Sequence, residues 1–219
     1  MRSFERWIRT SAVVLATAFA VGTVGTGLAD AHDVGHGSSA GHGHHEELPA
    51  TAPTHDGSLH HLDAVWTDAH GEQLRLPDLA GGPAMITMFY GSCATACPIL
   101  LHKARRLQEA TGLDLPVLAV TFDPGADTPE ALRRYAEERG YDRDDWRFLI
   151  GDELQIRMLA TMLGVQYRPL QEGGFAHSNL IIVIDGEGRI VLHEEGLSPD
   201  VEPVAEEVRA ALGAPARGP

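Results

Sequence analysis

Two cysteines and one histidine carry the chemistry that this sequence can do. The cysteines stand in Gly91-Ser92-Cys93-Ala94-Thr95-Ala96-Cys97-Pro98. That spacing puts the second thiol one helical turn or one loop beyond the first, so the sulfurs can converge on one metal ion or close a small disulfide ring. Proline is at home in the first turn of a helix. A helix N-terminus carries partial positive charge and unpaired N–H groups, which stabilise thiolate. Thiolate is the form that binds metal and attacks disulfides, and soft sulfur selects Cu(I) or zinc over hard cations. Two sulfurs leave an ion under-ligated. His177 follows the glycine-bearing loop Gly173-Gly174 and precedes an apolar run. From such a loop–strand junction a side chain can be aimed at the end of a neighbouring strand. The plainer reading of His177 is a hydrogen-bonded histidine at a strand start. Two sulfurs and one imidazole would hold Cu(I), or Cu(II) with an added water.

Three classes of protein fit these residues. A metal carrier uses all three. A thiol–disulfide oxidoreductase needs Cys93 and Cys97 but has no need of His177. A thiol peroxidase is the third, and no matching peroxidase motif surrounds Cys93. Asp123, at the end of an apolar run, can lie near the site. Asp127, in Asp127-Thr128-Pro129-Glu130, reads as part of a capped helix start rather than a metal ligand. His70, His102 and His193 have no setting comparable to that of His177; His102 faces away from Cys97, and His193 reads as a hydrogen-bonded strand end.

The elements that must position these residues alternate along the chain. Ala64 to Thr67, a turn at Asp68-Ala69-His70-Gly71, and Gln73 to Leu76 predict an N-terminal β-hairpin. Ala84 to Tyr90 is a nearly continuous apolar run that suits a central strand buried on both faces. It ends at the cysteine motif, and Pro98 opens a helix closed by Gly112. Leu115 to Phe122 is the next strand. A helix from Thr128 to Glu138, stopped by Gly140, follows. Then come a strand over 147–150, a helix over 152–163 ended by Gly164, and strands over 179–184 and 189–193 around the turn Asp185-Gly186-Glu187-Gly188. Ser198 or Asp200 caps a last helix reaching Leu212. Strands alternating with helices and closed by a hairpin predict an α/β fold, a mixed sheet flanked by helices. A strand ending in a cysteine motif at a helix start is the thioredoxin-like arrangement.

The ends of the chain have their own character. Arg2, Arg6 and Arg9 precede a weakly apolar stretch, and Ala29-Asp30-Ala31 supplies an A-x-A pattern. Residues 1–31 therefore read as a secretory signal, or as an uncleaved membrane anchor, and the rest works outside the cytoplasm. Residues 32–61, rich in His, Gly, Ser and Pro and without apolar period, read as a disordered histidine-rich tail able to capture copper or zinc weakly. The ordered domain is expected over 62–213, with a flexible terminus over 214–219. The chain has 219 residues, 43% hydrophobic, enough for one core. A formal charge of −14 excludes nucleic acid as a partner and docking on anionic lipid by charge.

Cys93 to Pro98 is similar to the CxxxCP motif of the Sco/SenC family. Thr121-Phe122-Asp123-Pro124-Gly125-Ala126-Asp127-Thr128-Pro129 resembles that family's DPxxDTP segment, and His177-Ser178 falls where the family has its metal-binding histidine. The resemblance covers about residues 62–212. It implies a thioredoxin-like fold, copper on Cys93, Cys97 and His177, and a Cys93–Cys97 disulfide in the oxidised form. It also implies delivery of copper to the dinuclear copper site of a respiratory oxidase subunit, or reduction of that site's cysteines, with a thiol reductant protein as a further partner. Such a protein is a metallochaperone rather than an enzyme. The family often carries an acidic residue between the cysteines and one before the histidine. Here Ala94, Thr95, Ala96 and Ala176 stand in those places, which leaves delivery to a different copper enzyme open.

Overall fold

The structure, a computed structural model, describes residues 46–53, 57–79 and 81–214. The expected signal segment, most of the histidine-rich tail and residues 215–219 lie outside the described residues. In chain order the elements are β1 (Trp66–Asp68), β2 (Gln73–Leu74), β3 (Ala84–Phe89), α1 (Ala96–Thr111), β4 (Val117–Thr121), α2 (Pro129–Arg139), β5 (Trp146–Ile150), α3 (Glu153–Leu163), β6 (Tyr167–Pro169), β7 (Phe175–His177), β8 (Leu180–Ile184), β9 (Ile190–Glu195) and α4 (Glu202–Ala211).

Every residue of β3, β4 and β8 is buried. Strands apolar on both faces must be covered on both faces, and these three lie at the middle of a seven-stranded sheet ordered β2-β1-β5-β4-β3-β8-β9. β3, β4 and β5 are parallel, while β1 joins β5 and β8 joins β3 antiparallel. α1 packs on β3 and β8 and against α4, and α2 packs on β5. Phe89 anchors the core, edge-on to Phe148 at 5.4 Å and tilted to Tyr135 at 5.6 Å. Such aromatic contacts add to the burial of the rings themselves. The mixed sheet flanked by helices, with its N-terminal hairpin, is the architecture expected from the alternation.

Three local expectations are corrected. α1 begins at Ala96 rather than Pro98, so Cys97 lies inside its first turn. Neither Ser198 nor Asp200 caps α4: the N-cap is Val201, with no side-chain cap bond. Val201 is 1% exposed; filling the core outweighs the cap, and Ser198 receives the Asp200 N–H instead. Third, the tail expected to run to His61 is in part body. Residues 59–61 form a 3-10 turn, with Leu59 buried and its N–H donating to the Gly188 carbonyl at 2.8 Å. Residues 46–53 run past the end of β7 to the end of α3: the Leu48 N–H donates to the His177 carbonyl at 3.1 Å, and the Thr51 N–H to the Gly164 carbonyl at 3.0 Å. A short segment without apolar period can still be held by backbone bonds, and nothing in its composition announces that.

Gly164 makes this attachment possible. It ends α3 in the left-handed conformation (φ +76°), and a Cβ there would stand 2.1 Å from the Thr51 carbonyl oxygen. Gly164→Ala is expected to cost about 2 kcal/mol, since the left-handed conformation alone costs an L-residue roughly 1–2 kcal/mol. It should also speed amide hydrogen exchange at Leu48 and Thr51. Exchange at those amides as slow as in the unaltered chain would show that the strap does not depend on this contact.

Candidate metal centre

The centre is assembled from three pieces of chain around the end of β3. The turn after β3 presents Cys93, the first turn of α1 presents Cys97, and the last residue of β7 is His177. All three are buried, at 3%, 0% and 0% exposure. Their two sulfurs and one imidazole nitrogen lie within 4.8 Å of one another, close enough to share one ion. Among the described residues no other group of three His, Cys, Asp or Glu donors converges in this way. Cys97 Sγ stands 3.6 Å from His177 Nε2. The other ring nitrogen, Nδ1, is 3.0 Å from the Ser178 carbonyl. A carbonyl only accepts, so Nδ1 carries the proton and donates, and the Nε2 lone pair faces the sulfur.

Neither cysteine is in a disulfide, and the two are unlike. The Cys93 sulfur is drawn far below the ordinary thiol value, first by a hydrogen bond from the Cys97 thiol and then by the N–H groups of Cys97 and Thr95, which together outweigh its burial. The Cys97 N–H donates to Cys93 Sγ at 3.3 Å, the helix-terminus effect expressed as one bond. Cys97 moves the opposite way. Burial, then the neighbouring Cys93 thiolate, push its thiol up. The pair is therefore one thiolate and one thiol, and a metal entering must displace the Cys97 proton.

Aromatic rings wall the centre. Tyr90 is edge-on to His177 at 5.9 Å, Phe122 is tilted to it at 5.1 Å, and Phe175 closes against both, at 5.2 and 5.1 Å. Burial, followed by a backbone hydrogen bond that opposes it and by the nearby cysteine thiolate, leaves the Tyr90 hydroxyl pushed up to about 12. Sequence reasoning did not single out these rings. One signal was present: Phe175 and His177 are two apart on a strand and so share a face.

Asp127 is buried and serves neither as a cap nor within the convergent donor group. Thr128 is the N-cap, accepting from the Ala131 N–H. The Asp127 carboxylate instead accepts from the Gly91 N–H at 2.9 Å and from the Thr121 hydroxyl, tying the cysteine turn to the end of β4. A Cβ on Gly91 would lie 2.5 Å from that carboxylate, so the turn needs glycine. Burial pushes the Asp127 carboxyl up. Asp123 stands outside the donor group and lines a groove with Phe122, Ile156 and Tyr167. His70 pairs with Asp142 at 3.2 Å, His102 is exposed beside Arg105, and His193 Nε2 donates to the Leu163 carbonyl at 3.0 Å.

Among the described residues no helix is long and apolar enough to cross a membrane. Residues 61–213 match the family model described as SCO1/SenC. A "SCO1 protein homolog" of Bacillus subtilis is 23% identical over 133 residues, 58% of this chain and 69% of that protein. A "SCO2-like protein" of Rickettsia typhi is 27% identical over 135 residues, 58% of this chain and 65% of that protein, so the chain spans about two thirds of these relatives. The solved structure of Bradyrhizobium japonicum ScoI with copper bound is 26% identical, with a TM-score of 0.57, covering 68% of this chain and 97% of that one.

Proposed function

The chain belongs to the SCO1/SenC family, and on that premise we propose that it carries one copper ion on Cys93, Cys97 and His177. The observation that supports this most is the buried convergence of two sulfurs and one lone-pair nitrogen within 4.8 Å. Soft donors in a pocket walled by aromatic rings suit Cu(I). Cys93 is already ionised and makes the first bond, Cys97 gives up its proton as the second forms, and His177 is aligned by its bond to the Ser178 carbonyl. The cargo then passes to the dinuclear copper site of a respiratory oxidase subunit or to another copper enzyme. In this reading residues 1–31 are a signal or anchor and the domain works outside the cytoplasm.

A second reading uses the same thiols without copper. An ionised Cys93 beside a protonated Cys97 is what an attacking and a resolving thiol require. The pair can reduce the disulfide of a recipient and end as a Cys93–Cys97 bond, to be reset by a thiol reductant protein. Copper stoichiometry separates the two. The reduced chain should retain one tightly held copper through desalting against a chelator, and Cys93→Ser and Cys97→Ser should each retain close to none. A full equivalent in both variants would overturn the copper reading.

A further inference from the structure

Tyr90, the residue after β3, is in contact with all three donors of the metal centre. Its main-chain N–H donates to the Cys97 sulfur. Its carbonyl accepts the Cys93 N–H at 3.2 Å, closing the turn that carries Cys93. Its ring stands edge-on to the His177 imidazole at 5.9 Å, and its hydroxyl is hydrogen-bonded to the Cys93 side chain. The two main-chain bonds are open to any residue but proline. The hydroxyl is not, because phenylalanine would fill the same space without it.

The β6–β7 hairpin holds this hydroxyl from the other side. The Phe175 N–H donates to it, and the Phe175 ring packs edge-on to that of Tyr90 at 5.2 Å. Gly174 lets the hairpin come this close, since a Cβ there would stand 3.0 Å from the hydroxyl oxygen. A phenol oxygen that accepts from one N–H keeps its own proton to donate, and the ionised Cys93 sulfur takes it. The bonds therefore run from β7, which ends in His177, to the turn that carries Cys93. Tyr90 is 8% exposed, so water competes little for either bond.

We propose that Tyr90 is a positioning residue whose hydroxyl weakens the Cys93 thiolate as an electron donor, biasing the centre towards Cu(I) over Cu(II) and towards the dithiol over the disulfide. The copper half of this rests on the copper reading above, and the thiol half stands without it. A hydrogen bond from a neutral donor to an ionised sulfur is charge-assisted, and it draws electron density from the sulfur. Cu(II) depends on that density more than Cu(I) does, and hydrogen bonds around a cysteine sulfur are one means by which a protein sets a copper potential. In the metal-free chain the same bond stabilises the thiolate of the dithiol. It has no comparable partner once that sulfur is held in a neutral disulfide.

Tyr90→Phe in the full chain removes the hydroxyl and leaves the ring. The metal-free protein is equilibrated with a dithiothreitol redox buffer, whose disulfide form takes the electron pair of Cys93 and Cys97 and becomes its dithiol. The oxidised fraction is read by thiol labelling after an acid quench. The variant should favour the disulfide about tenfold more than the unaltered chain, a reduction potential about 30 mV more negative. With copper bound, the thiolate-to-Cu(II) charge-transfer band should move to longer wavelength. The ratio of Cu(I) to Cu(II) affinity, each from competition with a chelator, should fall about tenfold. Tyr90→4-aminophenylalanine restores a donor at the same place and should recover most of both shifts, which repacking of the ring alone would not do. Equal potentials in the unaltered and Tyr90→Phe chains overturn the proposal, as does a shift that the amino variant fails to reverse. An unmoved band with copper bound overturns its copper half. Failure of the unaltered chain to hold copper removes the copper reading itself, and the metal-free potentials then decide the role of the hydroxyl alone.

Discussion

Reduced His177→Ala is expected to bind Cu(I) about a hundredfold more weakly than the unaltered chain, about 2.7 kcal/mol of binding free energy. The imidazole is fully buried, its Nδ1 is committed to the Ser178 carbonyl, and its Nε2 stands 3.6 Å from Cys97 Sγ. Alanine leaves two sulfurs and a gap between Tyr90 and Phe122, and neither side chain carries a nitrogen or sulfur to take the place of the imidazole. Disulfide chemistry should respond differently, because exchange needs only an attacking and a resolving thiol. His177→Ala should still form and exchange a Cys93–Cys97 bond. Competition with a Cu(I) chelator gives the affinities, and equilibration with a thiol redox buffer gives the potentials. A thermal melt checks that the variant is folded. Equal affinities in a folded variant would remove His177 from the ligand set and favour the metal-free exchange reading.

How much the sequence made legible depends on how local each signal is. The apolar run Ala84 to Tyr90 can be accommodated only in a doubly covered strand, and it forms β3 at the centre of the sheet. Gly112, Gly140 and Gly164 close three helices in the left-handed conformation, where glycine alone is unstrained. Convergence of Cys93 and Cys97 is legible because their spacing is short. That of His177 depends on resemblance, since a residue eighty positions away has no local signal. The features that escape are the non-local ones. The β6–β7 hairpin is two three-residue strands, too short for a period to show. The strap over 46–53 is held largely by backbone N–H groups, which every residue but proline owns. Asp127 reads as a cap because Asp-Thr-Pro is a common helix start. Its role in tying down the Gly91 turn depends on a contact across thirty-six positions.

Glu194→Gln should destabilise the fold by about 3 kcal/mol, the largest stability effect expected of a single conservative change in this chain. Lys103 lies on the helix whose first turn carries Cys97, and it is 2% exposed. Its ammonium donates to Glu194 at 2.6 Å and to the Gly196 carbonyl at 2.9 Å, fastening α1 to β9. Removing the carboxylate charge leaves a buried cation with neutral acceptors only, and that uncompensated charge is what costs stability. The reverse change is not symmetrical. Glu194 keeps 25% of its side chain in solvent, so Lys103→Met leaves a carboxylate that water can still reach and fills the space with an apolar chain of similar length. It should be near neutral or mildly stabilising, as replacing buried ion-pair members by well-packed apolar residues often is. Lys103→Met combined with Glu194→Gln should then recover most of what Glu194→Gln loses. Urea unfolding of the four proteins measures all of this at once, with the m-value confirming that the transition is unchanged in kind. Equal losses in the two single variants would mean that the pair acts through packing alone and that the buried charge is not what fixes α1 in place.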